Sequence, residues 1–133
     1  MVKNLKLVNC DEKFWEFVRI LRTDSRNLNG FIQSNPITPE QQQEYMKRFH
    51  TNYKICLLDN VPVGFIGAIN GDIRVCTDHN YKTLGIGSFM VQEFTKTTPN
   101  IFAKVKVDNL SSLKLFESCN YKIRYYILEP QTI

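Results

Sequence analysis

Apolar residues change their period several times along the 133-residue chain, and each change marks an element. Between Asn4 and Asn9, Leu5 and Leu7 alternate with polar neighbours, the pattern of a half-buried first strand. Phe14, Phe17, Val18 and Leu21 then recur at i, i+3, i+4 and i+7, which predicts an amphipathic helix over 11–22 with Asp11 as its cap. From Thr23 to Ile37 the periodicity breaks into Asp24, Asn27, Asn29, Gly30, Asn35 and Pro36, a loop longer than a simple connection. Thr38-Pro39-Glu40-Gln41 joins a capping box to a proline at the first helical position, with Tyr45, Met46 and Phe49 following on one face. That helix is expected to end near His50, which is read as a capping group at the end where a cation is favoured.

Tyr53 to Leu58 and Val61 to Ile69 are apolar strands joined by Asp59-Asn60, and Asn70-Gly71 is a strong hairpin signal leading into a strand over 72–77. Three strands in succession predict an antiparallel meander. Ile86, Met90 and Phe94 next fall at helical spacing, Pro99-Asn100 closes that segment, and Ile101 to Val107 alternates as a strand. Asp108 or Asn109 can cap a last helix over 110–119, and Tyr121 to Leu128 reads as a final β segment. Strand, helix, strand at 72–107 suggests a parallel crossover. The expectation is therefore one α/β (α+β) domain over 1–133, in the order β-α-α-β-β-β-α-β-α-β. Its mixed, mostly antiparallel sheet has six or seven strands flanked by about four helices, and is parallel only where 72–77 meets 101–107.

Composition adds bounds. With 43% hydrophobic and 23% charged residues the chain is ordinary for a globular protein, and no apolar run approaches a membrane span. Lys3 and Lys6 argue against a signal peptide, so a cytoplasmic protein is expected. Cys10, Cys56, Cys76 and Cys119 are far apart in or beside apolar elements, read as buried free thiols of a reducing compartment, with no metal implied. The net charge of +4 is spread along the chain, which favours an anionic ligand without calling for nucleic acid or a membrane surface.

The stretch Asp78 to Ser88 is where chemistry concentrates. In Lys82-x-x-Gly85-x-Gly87 two glycines allow a tight turn that leaves several N–H groups pointing one way, a cradle suited to a diphosphate. The same residues also read as a strand-to-helix turn without a ligand.

Tyr81-Lys-Thr-Leu-Gly-Ile-Gly87 resembles the acetyl-CoA loop, Arg/Gln-x-x-Gly-x-Gly/Ala, of the GCN5-related N-acetyltransferase (GNAT) superfamily. Asn109-Leu-Ser-Ser112-Leu-Lys-Leu-Phe-Glu-Ser-Cys-Asn-Tyr121 is similar to that superfamily's second motif, in the same order and spacing. The resemblance covers about residues 53 to 128, and the N-terminal pattern with Lys-Leu-Phe-Glu at 114–117 is loosely similar to acetyltransferases of amino-sugar nucleotides. Three positions depart: Lys82 for Arg or Gln, Asn120 for Gly, and Phe116 for the Tyr that many members use as general acid. Asn tolerates the left-handed conformation that glycine supplies, but a phenyl ring has no proton to give.

The resemblance implies an acetyl-CoA-dependent N-acetyltransferase working by direct attack of a primary amine on the thioester. Acetyl-CoA (coenzyme A) would be the co-substrate, with its diphosphate at Lys82, Thr83, Leu84, Gly85, Ile86, Gly87 and Ser88. Its pantetheine arm would lie along Val75 and Thr77, with Asn109, Ser112 and Phe116 opposite, and the Val75 amide would hold the oxyanion. Asp24, Asp72, His79 and Asp108 are candidate bases, Tyr121 and Cys119 candidate replacements for the missing acid. Arg22, Arg26, Asn29 and Phe31 stand where such enzymes build the acceptor pocket, and paired arginines there suit a phosphate or carboxylate. A small-molecule amine such as a nucleotide-linked amino sugar is the expected acceptor, for a monomer or homodimer. A protein N-terminal or lysine acetyltransferase and a noncatalytic acyl-CoA-binding module are the alternatives.

Overall fold

Asp59 and Asn60 take φ of 50° and 69°, and Asn70 and Gly71 take 53° and 85°, the paired positive values that fold a strand back on itself in two residues. These turns join β2 (Tyr53–Leu58), β3 (Val61–Ile69) and β4 (Asp72–Thr77) into the antiparallel meander that the sequence predicts. β1 (Leu5–Asn9) adds to β2, so the sheet runs β1-β2-β3-β4, antiparallel throughout. The structure, a computed structural model, describes residues 4–24, 27, 37–82 and 84–132.

Helices cover both faces of the sheet. On one face lie α1 (Trp15–Thr23), after a 3₁₀ turn at Glu12–Phe14, and α2 (Pro39–Phe49). Trp15, Val18 and Leu21 of α1 and Met46 of α2 pack there on Tyr53, Ile55 and Phe65. Asp11 makes no side-chain cap, contrary to expectation; its backbone carbonyl instead accepts the Phe14 amide. At α2 the capping box is complete, Thr38 Oγ1 accepting the Gln41 amide at 3.1 Å and Gln41 Oε1 the Thr38 amide at 2.9 Å. His50 Nδ1 meets the Met46 carbonyl at 2.9 Å, the capping role read for it. Buried Gln42 donates to the Trp15 carbonyl at 2.9 Å, tying α2 to α1.

The other face carries α3 (Ile86–Thr97) and α4 (Leu110–Ser118), with Ile86, Met90, Val91, Phe94 and Phe116 buried against Val63, Ile66 and Ile73. Asn120 at φ 68° ends α4 as the sequence anticipates: its amide bonds Glu117 O at 3.2 Å and the Tyr121 amide bonds Phe116 O at 3.0 Å, which satisfies the last carbonyls.

The sheet is smaller than expected. Among the described residues it has four strands, not six or seven, because neither 101–107 nor 121–128 forms a ladder. The predicted parallel contact survives as a single bridge between Asp72 and Phe102. There Ile73 N–H donates to Phe102 O and Phe102 N–H to Gly71 O, each at 2.9 Å. Gly71 permits this approach, since a Cβ on it would stand 2.6 Å from Asn100 O. Tyr121 is held by Phe116, ring centroids 5.3 Å apart, but beyond it Tyr125, Tyr126 and Leu128 are exposed and pair with no described strand.

Candidate active site

After the bridge at Phe102 the two segments separate, and β4 keeps an open outer edge. Alternation along a strand decides which groups face it: Asp72, Arg74 and Cys76 lie opposite Ile69, Gly67 and Phe65 of β3, while the Ile73 amide bonds outward to Phe102. The amides of Val75 and Thr77 therefore turn outward too, toward the gap. Side chains follow a second alternation. Ile73 and Val75 pack toward α3 and α4, whereas Arg74 and Cys76 face α1 and α2.

β4 feeds a 3₁₀ turn at His79–Tyr81, held by Asp78 Oδ1 accepting the Asn80 amide at 3.0 Å. Gly85 follows at φ 76° as the N-cap of α3. A Ser, Thr, Asp or Asn at that position could cap the helix; glycine cannot, and no acidic residue stands in the first turn, so the cap position offers no side-chain acceptor to the first amides of α3. A Cβ on Gly85 would meet no described residue within 4 Å, so the described structure leaves open space at that cap position. Lys82 is exposed beside it. Gly87 differs from its sequence reading: a Cβ there would lie 3.3 Å from Leu115 Cδ2, so this glycine sets the approach of α3 to α4. Thr83 lies outside the described residues.

Across the gap, Asn109 caps α4, its Oδ1 accepting the Ser112 amide at 3.2 Å. That oxygen is thus engaged within its own helix. Asn109, Ser112 and buried Phe116 line a cavity of about 570 Å³ that runs between β4 and Lys104-Val105 to the opposite face, where Arg22, Tyr45 and Tyr53 complete it.

Of the four candidate bases, Asp72 alone lines this cavity, 4.0 Å from Lys104 Nζ. His79 and Asp108 are exposed, and Asp24 does not line it. Tyr121 departs from its expected role as acid, because its hydroxyl is 2.7 Å from Thr95 Oγ1 on α3 and it does not line the cavity. Cys119 is half-buried, its Sγ 3.8 Å from Ser88 O, whereas Cys10, Cys56 and Cys76 are buried as expected. Arg22 lines the cavity; Arg26, Asn29 and Phe31 lie outside the described residues.

Several lining residues were not singled out from the sequence as site residues, Tyr45, Tyr53, Arg74 and Lys104 among them. Tyr45 and Tyr53 share a hydrogen bond of 2.7 Å between their hydroxyls, and Arg74 Nη1 donates to Tyr45 Oη at 3.3 Å. Burial, then Tyr45, push the Tyr53 phenol up from its ordinary range. Burial works against the Arg74 charge, but Tyr53, Tyr45 and Asp72 outweigh it and raise the pKa. Arg22 is lowered, by burial first and then by Arg74, against an opposing pull from Tyr53.

No family model and no curated protein matches the sequence. Solved structures do. A spermidine N-acetyltransferase from Vibrio cholerae, in complex with CoA and spermine, superposes with a TM-score of 0.77 at 15% identity, over 97% of this chain and 87% of that one. A GNAT-family acetyltransferase from Bacillus anthracis gives 0.69 at 19% identity over 86% and 78% of the two chains. The chain has the GNAT fold. A ribosomal-protein-alanine N-acetyltransferase from Brucella melitensis gives 0.72 at 12% identity over 85% and 82%, so the GNAT folds that match this one act on different acceptors. Among the described residues no helix is long and apolar enough to cross a membrane, and no cluster of three metal-ligating side chains occurs.

Proposed function

We propose that the protein is an acetyl-CoA-dependent N-acetyltransferase acting on a primary amine. The observation that carries this reading is the continuity of one open edge. Outward amides at Val75 and Thr77 lead along β4 to the uncapped first turn of α3, an extended row of donors ending in an anion cradle. An extended amide-bearing arm with a diphosphate at its end matches both parts. Ile86, Gly87 and Ser88 would offer amides to the diphosphate, with Lys82 beside them, and the Ser112 and Phe116 side of the cavity would cover the arm.

Acetyl-CoA supplies the acyl group. The acceptor nitrogen bonds to the acyl carbon as the C–S bond breaks; one ammonium proton must leave before attack, and the second proton that nitrogen loses on forming the amide ends on the departed sulfur. The Val75 N–H, fixed by the strand and aimed into the gap, is a donor for negative charge developing on a carbonyl oxygen there. Asp72 is the carboxylate among the described lining residues and takes the proton. A thiolate of pKa near 8.5 departs without a strong acid, so Phe116 is compatible with turnover. Phe116 also supports a second reading, a noncatalytic acyl-CoA-binding module.

The test is thiol release from acetyl-CoA across amino-sugar nucleotides, small amines and peptides, beside calorimetry with CoA. Binding with turnover of at least one amine is expected. Binding without turnover of any would select the noncatalytic module, and no binding would end both readings.

A further inference from the structure

The cavity carries a charge that the acetyl-donor half does not use. Its described lining holds three cations, Arg22, Arg74 and Lys104, against one carboxylate, Asp72, an excess of two positive charges. Asp72 lies 4.0 Å from Lys104 Nζ and also acts on Arg74, so one carboxylate serves two of the three cations. Arg22, on α1, and Arg74, on β4, are brought to the same side of the sheet, the side of α1 and α2. The glycine loop opens α3, which packs on the other side, so the sheet stands between the two guanidiniums and the cradle assigned to the diphosphate.

Arg74 is also held in position. Its Nη1 donates to Tyr45 Oη, and that hydroxyl is fixed in turn by Tyr53. Like charges packed at a half-buried cavity wall cost free energy unless an anion joins them, and guanidinium forks match carboxylate and phosphate oxygens two at a time.

We propose that Arg22 and Arg74 form an anion-binding subsite that selects acceptors in which a primary amine and a carboxylate or phosphate belong to one molecule. The proposal rests on the acetyltransferase reading and adds the acceptor's second functional group. It also gives the cations an effect on the nucleophile: positive charge near a bound ammonium favours its neutral, attacking form.

The experiment compares matched acceptors with saturating acetyl-CoA: β-alanine against 3-aminopropanol, 2-aminoethyl phosphate against ethanolamine, and 1,3-diaminopropane as the cationic control. A charge-assisted contact is typically worth ~1.5–3 kcal/mol, so kcat/KM should favour the anionic member of a pair by roughly 10- to 100-fold. The carboxylate and phosphate pairs separate the two anion types. Arg74→Gln should raise KM for anionic acceptors by much more than for 3-aminopropanol, and leave CoA affinity unchanged; Arg74→Lys should recover part of the preference. Equal or better turnover of the neutral or dicationic amines overturns the subsite, while leaving the acetyltransferase reading intact. Loss of CoA affinity in Arg74→Gln with the preference retained would assign the cations to the donor instead. If no amine turns over, calorimetry of β-alanine and 2-aminoethyl phosphate on the CoA-loaded protein decides. Binding lost in both Arg74→Gln and Arg22→Gln supports the subsite, and no binding to the unaltered protein refutes it.

Discussion

Ile73 donates its amide to the carbonyl of Phe102 at 2.9 Å, and this contact is the hinge of the gap. On one side of it the chain segments touch; on the other they part and leave the Val75 and Thr77 amides facing outward. The proposed acyl transfer depends on that parting, so the residues that fix the hinge are the first to test.

Gly71 is one of them, with φ at 85° and 2.6 Å between a would-be Cβ and Asn100 O. Gly71→Ala should destabilise the protein by at least ~1–2 kcal/mol, the cost of left-handed backbone for an L-residue, with the clash added. A urea midpoint equal to that of the unaltered protein would show that the hinge tolerates a side chain.

Gly85→Ala separates binding from folding. Its new methyl would meet no atom of the described residues within 4 Å, so the fold should lose only about 1–2 kcal/mol of backbone strain at φ 76°. The methyl would, however, occupy the space before α3, and CoA affinity should fall by roughly tenfold or more, the effect of losing one charge-assisted contact. Gly87→Asp adds a carboxylate to the same turn but also presses on Leu115, 3.3 Å from the new Cβ, so it should cost stability as well as CoA affinity. Calorimetry on folded variants measures both, and unchanged affinity in both would remove the cradle from the site.

Phe116→Tyr asks whether the missing hydroxyl matters. Phe116 is buried with its ring against Tyr121, a packing role, so kcat should change little. A positioned general acid is worth roughly 10²–10⁴ in rate, and a gain of that size in the tyrosine variant would mean that the natural chain has given up the reaction.

Three buried thiols should limit stability at high pH. Burial pushes Cys10 and Cys76 up to about 12 and Cys56 to about 11, from an ordinary value of 9.0. Well below pH 9.0 these thiols are protonated in both states and their contribution is intact. Between there and the raised values the unfolded chain releases protons that the native state retains. Stability should therefore fall as pH rises through that window, by up to ~1.4 kcal/mol per pH unit for each thiol. Denaturant midpoints from pH 8 to 11 measure the slope, and replacing Cys76 by Ala should reduce it; a flat profile would contradict the assignment.

The elements legible in the sequence were those specified locally. The box at Thr38 and Gln41, the Asn70-Gly71 turn, the αL position at Asn120 and the glycine opening of α3 each follow from one or a few adjacent residues. The strand at 101–107 was misread because alternation records a preference for a pleated surface, whereas a ladder also needs a partner that stays within reach, and here the partner diverges after Phe102. The cluster of Tyr45, Tyr53 and Arg74 was invisible for a related reason. It is assembled by α2, β2 and β4, whose positions carry no mutual spacing in the chain.

The open rim of β4 has a price in solution behaviour. It is the last strand of the sheet, and past Ile73 its outward backbone pairs with no described strand, which makes it a template for any extended peptide. A ligand arm and an invading strand would compete for the same row of amides. Protein held without CoA should therefore be the form prone to self-association and precipitation on concentration, and a dimer seen only in that form would mark an uncovered edge, not a native interface.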